Sequence, residues 1–264
     1  MSHQAIILAA GIGRRLSPFT NTSPKCLLTV GEKSLLERML RSLDEISVRE
    51  VVLVVGHLRE AIIERFGTRF AGIKLRYIEN SEYHRGSIRS LFCARHELHE
   101  DSILMDADVL FPTEILARLL SAPTPSAFLL DEAFEESGEE MKLYARLDRV
   151  VAISRKAPAL AYDRIGEGVG FMKVSAVDGR ALSGVVDEMV RAGFDGDYEE
   201  AIDRLLGQAS VGWVPVGGLP WTEIDFPEDL DRARNEIWPK LAGRGVRGSH
   251  VDSRTPGPEP RTPN

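Results

Sequence analysis

Residues 5–31 read AIILAAGIGRRLSPFTNTSPKCLLTVG, and the fold turns on how they are read. The run from Gln4 to Ala10 is apolar and closes on Gly11, the pattern of a strand buried on both faces of a sheet. A strand that hands over to glycines brings bare backbone N–H groups up to phosphate oxygens, because no Cβ stands in the way. Arg14, Arg15 and, further on, Lys25 give that loop cationic edges. Two known phosphate loops do not fit. The dinucleotide fingerprint requires a third glycine where Leu16 stands, and the Walker A form requires Gly-Lys-Ser/Thr. The residues alone leave two readings, a phosphate cradle of another kind and a tight turn edged by solvated arginines.

Working outward, Leu35, Leu36, Met39, Leu40, Leu43 and Ile46 recur at helical spacing behind Ser34, and EVVLVVG then reads as a second buried strand. The same alternation continues. A helix is predicted in LREAIIERF, a strand in IKLRYIEN, a helix with Ser87 as N-cap in SIRSLFCARHELH, and a strand in SILMDAD. This implies a parallel-rich sheet covered by helices. After a helix in TEILARLLSA and the stretch SAFLLDEA the rhythm changes, because MKLYARLD and VVAISRK meet with little more than Asp148 and Arg149 at the turn, which predicts a hairpin. GVGFMKVS and two helices follow, then LPWTEIDFPEDLDRARNEI, a strand and a helix opening at Pro227. The expected organisation is a single domain over 1–242 with a smaller α+β lobe inserted over 131–215, and a disordered Gly/Pro-rich tail over 243–264.

At 264 residues and 43% apolar content the chain is long enough to bury its own core. Its 33 basic and 40 acidic side chains leave a net charge of −7, which argues against a nucleic-acid partner held by broad phosphate neutralisation. Cys26 and Cys93 are too few for a disulfide framework and lack metal-ligand spacing, so two free thiols in a reducing cytoplasm are expected. No apolar run reaches about 18 residues, and MSHQAIILAAG lacks a basic n-region and a cleavage site, so neither a membrane span nor export is expected. A homo-oligomer is left open.

Leu8, Ala9, Ala10, Gly11, Gly13, Arg15, Leu16, Pro18, Pro24, Lys25 and Gly31 together resemble the signature of the sugar-phosphate and phospho-alcohol nucleotidyltransferases. Members of that family join a nucleoside triphosphate to a phosphorylated acceptor and release pyrophosphate. The resemblance implies an α/β, Rossmann-like nucleotidyltransferase fold, with a mostly parallel mixed sheet flanked by helices and a small acceptor-binding lobe. It also implies that Arg15 holds the β- and γ-phosphates and that Lys25 touches the α-phosphate and the incoming acceptor. The nucleotide would lie along Leu8, Ala10, Gly11, Gly13 and Arg14, with Asn80, Gly86 and Ser87 near the base. Arg14 stands where Thr or Ser is common, so a charge replaces a hydroxyl. Such residue types suit the chemistry, since an anion attacking a charged phosphorus needs positioning and neutralisation rather than a covalent intermediate. A point-charge lysine suits an oxygen that moves during displacement.

LMDADVLF places Asp106 and Asp108 two apart on a predicted strand, so both face one side at its carboxyl end, where open α/β sheets bind ligands. Glu223 and Asp225 in WTEIDFPEDL share a strand face in the same way. The resemblance makes Asp108 a Mg²⁺ ligand and Asp225 the second carboxylate, with Asp106 on the nucleotide side. Mg²⁺ commonly uses one or two carboxylates together with phosphates and water.

Further on, EMKLYARLDRVVAISRKAP, GEGVGFMKVS, DYEEAIDRLL and LPWTEIDFPEDLDRAR are similar to the phosphocholine cytidylyltransferase group, and the likeness runs over nearly all of 4–236. Lys142, Glu167 and Glu199 fall where that group carries a substrate-side lysine and acids, and Trp221 and Glu223 join them as acceptor-side candidates. One stretch departs. In NSEYHRGSIRSLFCAR, Asn80, Tyr83, Ser90 and Leu91 match, while Gly86 and Ser87 resemble the inositol-phosphate and aminoethylphosphonate transferases as closely. The expected substrates are a nucleoside triphosphate, foremost CTP, and a small phosphorylated alcohol such as phosphocholine, or a phosphonate. The alternatives are a sugar-1-phosphate transferase using UTP or dTTP and a catalytically silent nucleotide-binding relative. A quaternary ammonium would need aromatic faces and carboxylates, for which Tyr144, Tyr162, Tyr198, Trp221 and the acidic run DEAFEESGEE are candidates.

Overall fold

The apolar run that opens the chain becomes β1 (Gln4–Ala9), placed inside a sheet as its two-sided burial requires. The computed structural model describes residues 4–245 apart from 135, 137 and 139. After β1 come β2 (Thr29–Val30), β3 (Lys33–Ser34), α1 (Leu35–Glu45), β4 (Glu50–Val55), α2 (Arg59–Phe66), β5 (Arg69–Phe70), β6 (Ile73–Glu79) and α3 (Ser87–Ala94). Next are β7 (Ser102–Asp106), β8 (Val109–Leu110), α4 (Thr113–Leu120), β9 (Ala127–Asp131) and the hairpin of β10 (Lys142–Arg146) with β11 (Arg149–Ser154). These are followed by β12 (Arg164–Val174), α5 (Ala176–Arg191), α6 (Glu199–Leu206), β13 (Gly212–Pro215), β14 (Thr222–Glu223), α7 (Pro227–Arg232) and α8 (Trp238–Gly245).

Ten strands form one mixed sheet in the order β10-β11-β13-β9-β12-β7-β1-β4-β6-β5. The run β6-β4-β1-β7 is parallel throughout. The chain winds outward from β1 to β4 and β6 and then returns to β7 on the other side, so a switch point lies between the carboxyl ends of β1 and β7. Open α/β sheets place their ligands at such a point. Beyond β7 the sheet turns antiparallel through β12, which pairs with β7 and β9 across a bulge between Gly168 and Met172. There β10 pairs with both β11 and β12, while β13 joins β11 to β9, so these five strands close on one another. Of these strands β10, β11, β12 and β13 fall in the lobe expected over 131–215. The ring shares β9 and β12 with the main sheet.

Alternation along β1 divides the core. Ala5, Ile7 and Ala9 pack in one cluster with Leu36, Met39, Leu40 and Leu43 of α1, whereas Ile6 and Ala10 pack in another with Ile88 of α3, Val186 of α5 and Ile202 of α6. Each large aliphatic side chain buried in this way contributes about 1.5–3 kcal/mol relative to exposure. A third cluster joins Leu16, Leu28 and Val30 of the opening loops to Leu110, Ile224, Leu230 and Ile237, fastening the N-terminal loop to the C-terminal helices.

Local details follow the sequence in part. Helix α1 starts where predicted, with Ser34 Oγ accepting from the Glu37 N–H at 3.2 Å. Helix α3 differs: Ser87 is its first residue and Gly86 its cap, and the Ser87 hydroxyl instead accepts the Tyr198 N–H at 2.9 Å. A π turn over Ala233–Ile237 links α7 to α8, and α8 reaches Gly245, past the start of the predicted tail. Residues 246–264, where the rest of that tail falls, lie outside the described residues. No helix among the described residues is long and apolar enough to cross a membrane.

Candidate active site

Beyond β1, Gly13 adopts a left-handed φ of 66° and leads into a 3₁₀ turn over Arg14–Leu16. Leu16 is drawn into the third core cluster, which leaves Arg14 and Arg15 at the carboxyl end of β1. A second 3₁₀ turn, Lys25–Leu27, follows Pro24, and its buried Cys26 anchors it beneath the loop. Burial pushes the Cys26 thiol up to about 12, so it stays protonated.

Lys25 is the hinge of the charge arrangement. Its Nζ donates to Asp108 Oδ2 and to Asp225 Oδ1, both at 2.6 Å. Arg15 Nη2 donates to Asp225 Oδ2 at 2.5 Å, and its guanidinium lies 4.7 Å from the Phe226 ring centre. Burial works against the Lys25 charge, but Asp108, Asp225 and Glu223 outweigh it and hold the ammonium protonated well above its usual range. Burial also opposes the Asp225 carboxylate, yet Lys25 and Arg15 keep it below the usual range.

The acidic side chains reach this point by a different route from the one predicted. Asp106 is the last residue of β7 and Asp108 lies past a bend, so they do not share one strand. Likewise β14 ends at Glu223, and Asp225 lies beyond it. What brings the two stretches together is the antiparallel pairing of β8 with β14, extended by the Ile224 N–H donating to the Asp108 carbonyl at 3.2 Å. Asp108, Glu223 and Asp225 consequently offer oxygens that all lie within 4.8 Å of one another. Asp108 Oδ1 is buried and has no hydrogen-bond partner among the described residues. Three hard carboxylates with an oxygen to spare fit a hard divalent cation such as magnesium.

A cleft of about 350 Å³ opens over the switch point. Leu8, Ala10, Gly11 and Gly13 form its floor with Arg14 and Arg15; Lys25, Asp108 and Asp225 stand at one end; Gly86, Ser87 and Asp106 also line it. Asn80 does not. It is buried behind the wall, where its Nδ2 donates to Ser90 Oγ at 3.0 Å and its Oδ1 accepts the Glu82 N–H at 2.9 Å, so it shapes the loop rather than facing the cleft. Tyr83 and Ser90 line the cleft and were not singled out as nucleotide residues; their stretch matched the resemblance, which was the available signal.

Two further hollows adjoin the cleft. The larger, about 670 Å³, is lined by Glu167, Trp221, Glu223 and Asp225, together with Asp131, Glu140, Asp229 and Glu236 and the two cations Arg232 and Lys240, and Asp225 also lines the first cleft. Trp221 Nε1 donates to Asp131 Oδ2 at 2.7 Å. Asp131 and Glu167 are register partners across β9 and β12, and burial, Glu140 and Asp131 push the Glu167 carboxyl up to about 7. Part of the acidic run 131–140 therefore faces this hollow; Glu135 and Glu139 lie outside the described residues. A smaller pocket, about 50 Å³, holds Asp106, Tyr198, Glu199 and Glu223 against apolar walls. There the Tyr198 hydroxyl donates to Asp106 Oδ2 at 2.8 Å, and Glu199 Oε2 is buried with no partner among the described residues. Burial, Asp108 and Glu199 drive Asp106 well above the usual carboxyl range, burial with Asp108 and Asp225 does the same to Glu223, and burial takes Glu199 to about 7.

Lys142, expected on the acceptor side, lies beside Glu167 in register. It is buried in β10, its ammonium pairs with Glu136, and it lines none of these hollows. Tyr144 and Tyr162 pack against each other with ring centres 4.9 Å apart, and neither lines these hollows.

The family model described as the MobA-like NTP transferase domain matches residues 5–160. The chain is 31% identical over 239 residues to the CMP-5'-(3-aminopropyl)phosphonate synthase of Streptomyces rubellomurinus, covering 87% of this chain and 38% of that protein. It is 26% identical to a UTP–glucose-1-phosphate uridylyltransferase of Haloferax volcanii, over 89% of this chain and 96% of that one. The solved CTP:phosphocholine cytidylyltransferase from Streptococcus pneumoniae shares the fold, with a TM-score of 0.69 and 22% identity over 89% of this chain and 98% of its own.

Proposed function

The chain belongs to the MobA-like NTP transferase domain family, and on that premise we propose that it transfers CMP from CTP to a small phosphonate or phosphorylated alcohol bearing a cationic group, releasing pyrophosphate. The observation that carries this reading is the position of Lys25 and Asp225 where the glycine-floored cleft meets the acidic hollow. In the reaction, an anionic acceptor oxygen forms a bond to the α-phosphorus as the bond to the bridging oxygen breaks, and pyrophosphate departs with that electron pair. The Gly11–Gly13 backbone admits the phosphates closely, and Arg14 and Arg15 offset the charge of the leaving group. Lys25 neutralises both anions at the transferred group and keeps its proton to do so, since its neighbours hold it in the charged form. Asp108 and Asp225, with Glu223 beside them, would hold a magnesium ion, whose contribution is further neutralisation of phosphate charge.

The acceptor side favours a cation. Around one hollow the acids Asp131, Glu140, Glu167 and Glu223 outnumber the cations Arg232 and Lys240. Burial and the crowding of carboxyls raise Glu167 and Glu223, and an ammonium group on the acceptor relieves that crowding. The Streptomyces relative, whose name specifies an aminopropyl phosphonate, supports the same reading. The Haloferax relative supports a second reading, a sugar-1-phosphate uridylyltransferase, whose acceptor would meet these acids with hydroxyl groups alone. Pyrophosphate release is to be measured with each of four nucleoside triphosphates against phosphocholine, 2-aminoethylphosphonate, 3-aminopropylphosphonate, inositol phosphate and glucose-1-phosphate, with and without Mg²⁺. Mg²⁺-dependent turnover with CTP and an amine-bearing acceptor is expected. Turnover confined to glucose-1-phosphate, or nucleotide binding without turnover, overturns the proposal.

A further inference from the structure

Away from the reacting centre, Glu82, Arg85, Arg89 and Asp195 lock together. Asp195 Oδ2 accepts from Arg85 Nε at 3.0 Å and Nη2 at 2.9 Å, while Oδ1 accepts from Arg89 Nε at 2.8 Å and pairs with its Nη2 at 2.5 Å. Glu82 pairs with both arginines from the other side. The Arg89 side chain is only 8% exposed, whereas Asp195 and Arg85 are about one third exposed, and both guanidiniums engage the carboxylate through two nitrogens. Backbone contacts reinforce it. The Ile88 N–H donates to the Gly196 carbonyl at 3.1 Å, and Gly86 lies so close to Gly196 that an added Cβ would sit 2.8 Å from its nitrogen.

The two segments joined here belong to different sides of the site. Tyr83, Gly86, Ser87 and Ser90 wall the nucleotide cleft. Tyr198 and Glu199, just past Asp195, line the small inner pocket with Glu223, which also faces the acidic hollow. Tyr198 is tied at both ends, its N–H to Ser87 Oγ and its hydroxyl to Asp106. We propose that Asp195 is a positioning residue that couples the nucleotide and acceptor sites, by fixing the Tyr198–Glu199 corner to the 83–90 wall of the cleft. A nucleotide that orders the wall then orders the corner as well, so the second substrate binds to a partner already arranged. The same coupling must act in both directions. This inference rests on the two-site reading above.

The test uses α,β-methylene-CTP with Mg²⁺, and as acceptor probe whichever of phosphocholine, 2-aminoethylphosphonate and 3-aminopropylphosphonate the wild-type chain turns over, with binding followed by calorimetry. In the wild type each ligand tightens the other about tenfold. In Asp195→Asn both effects fall below about twofold, each KM rises more than kcat falls, and the melting temperature holds; Asp195→Glu restores the coupling. Arg85→Gln, on the more exposed arm, lowers the coupling in the same direction. Coupling retained in Asp195→Asn and Arg85→Gln, or absent from the wild type, overturns the inference while leaving the transferase reading in place. A wild type that turns over none of the three probes removes the reading itself, and the inference with it.

Discussion

On the nucleotide side, residues 8–15 and Lys25 come from one strand end and the loops that follow it, and they work through bare backbone and positive charge. On the acceptor side, Asp131, Glu140, Glu167, Glu223 and Asp229 arrive from β9, the approach to β10, β12, β14 and α7, and they work through negative charges held close together. The parallel half of the sheet needs only its switch point to make a phosphate site. The antiparallel half needs strand closure and the β8–β14 ladder before its carboxylates share a space. The first arrangement suits what every nucleoside triphosphate has in common, whereas the second can be altered side chain by side chain without touching the backbone that places it. Lys25 and Asp225 stand at the seam, so substitutions there separate from those on either side.

The largest effect belongs to the seam. Lys25→Ala, Asp108→Ala and Asp225→Ala are each expected to lower kcat/KM by about 10²–10³-fold or more, the scale seen when one preorganised charge partner of a transition state is removed. Far-UV circular dichroism is expected to stay native, because these side chains lie at the cleft and not in the apolar clusters. Near-normal pyrophosphate release in Asp225→Ala would break the comparison, since Asp225 is the residue that lines both the cleft and the hollow.

The next effect is one-sided. Glu167→Gln removes an acid from the acceptor hollow alone, so the acceptor KM is expected to rise about tenfold while the CTP KM stays put. Because Glu167 titrates near 7 through burial, Glu140 and Asp131, the wild-type acceptor KM is expected to fall as pH rises from 6 to 8, and the Gln variant to lose that slope. A CTP KM that moves in step with the acceptor KM would show the two sides are not separate.

Stability carries the opposite sign. Glu167 and Glu199 are raised from 4.5 to about 7, so between those values the native chain binds protons that the unfolded chain has released. Stability then falls as pH rises through that window and levels off above it. The ligand-free protein is expected to melt lower at pH 8 than at pH 5.5. A scan by calorimetry that shows a flat or rising midpoint would mean these acids are not strained in the native state.

How much of this was legible in the sequence follows the same division. The opening loop could be read because its chemistry is contiguous: an apolar run, glycines, arginines and Pro-Lys lie within one stretch. Asp108 and Asp225 could be read as partners only through a resemblance, since nothing in their spacing shows that β8 and β14 pair. Asp131 was legible only as the first residue of an acidic run, because it takes its particular meaning from Glu167 across the ladder and from Trp221 Nε1, both far along the chain. Lys142 is a related case. A lysine in an alternating strand gives no sign of whether it will meet a substrate or, as here, the carboxylate of Glu136. How the inserted region joins the sheet was not legible, because a hairpin signal shows where strands turn, not whether they close onto an existing sheet.

The smallest expected effect tests that last point. Ser34 caps α1 on the nucleotide side and Ser175 caps α5 on the other side of the sheet, each accepting the N–H three residues on at 3.2 Å. Replacing either by Ala removes one cap and costs about 1 kcal/mol. In a domain of this size that lowers the melting temperature by about 2–4 °C. If β9 and β12 bind both halves into one cooperative unit, the two variants must shift a single transition by similar amounts, whether followed by circular dichroism or by tryptophan fluorescence. If Ser175→Ala instead splits the transition, the antiparallel half unfolds on its own, and the substrate coupling assigned to Asp195 would have to cross a boundary that opens independently.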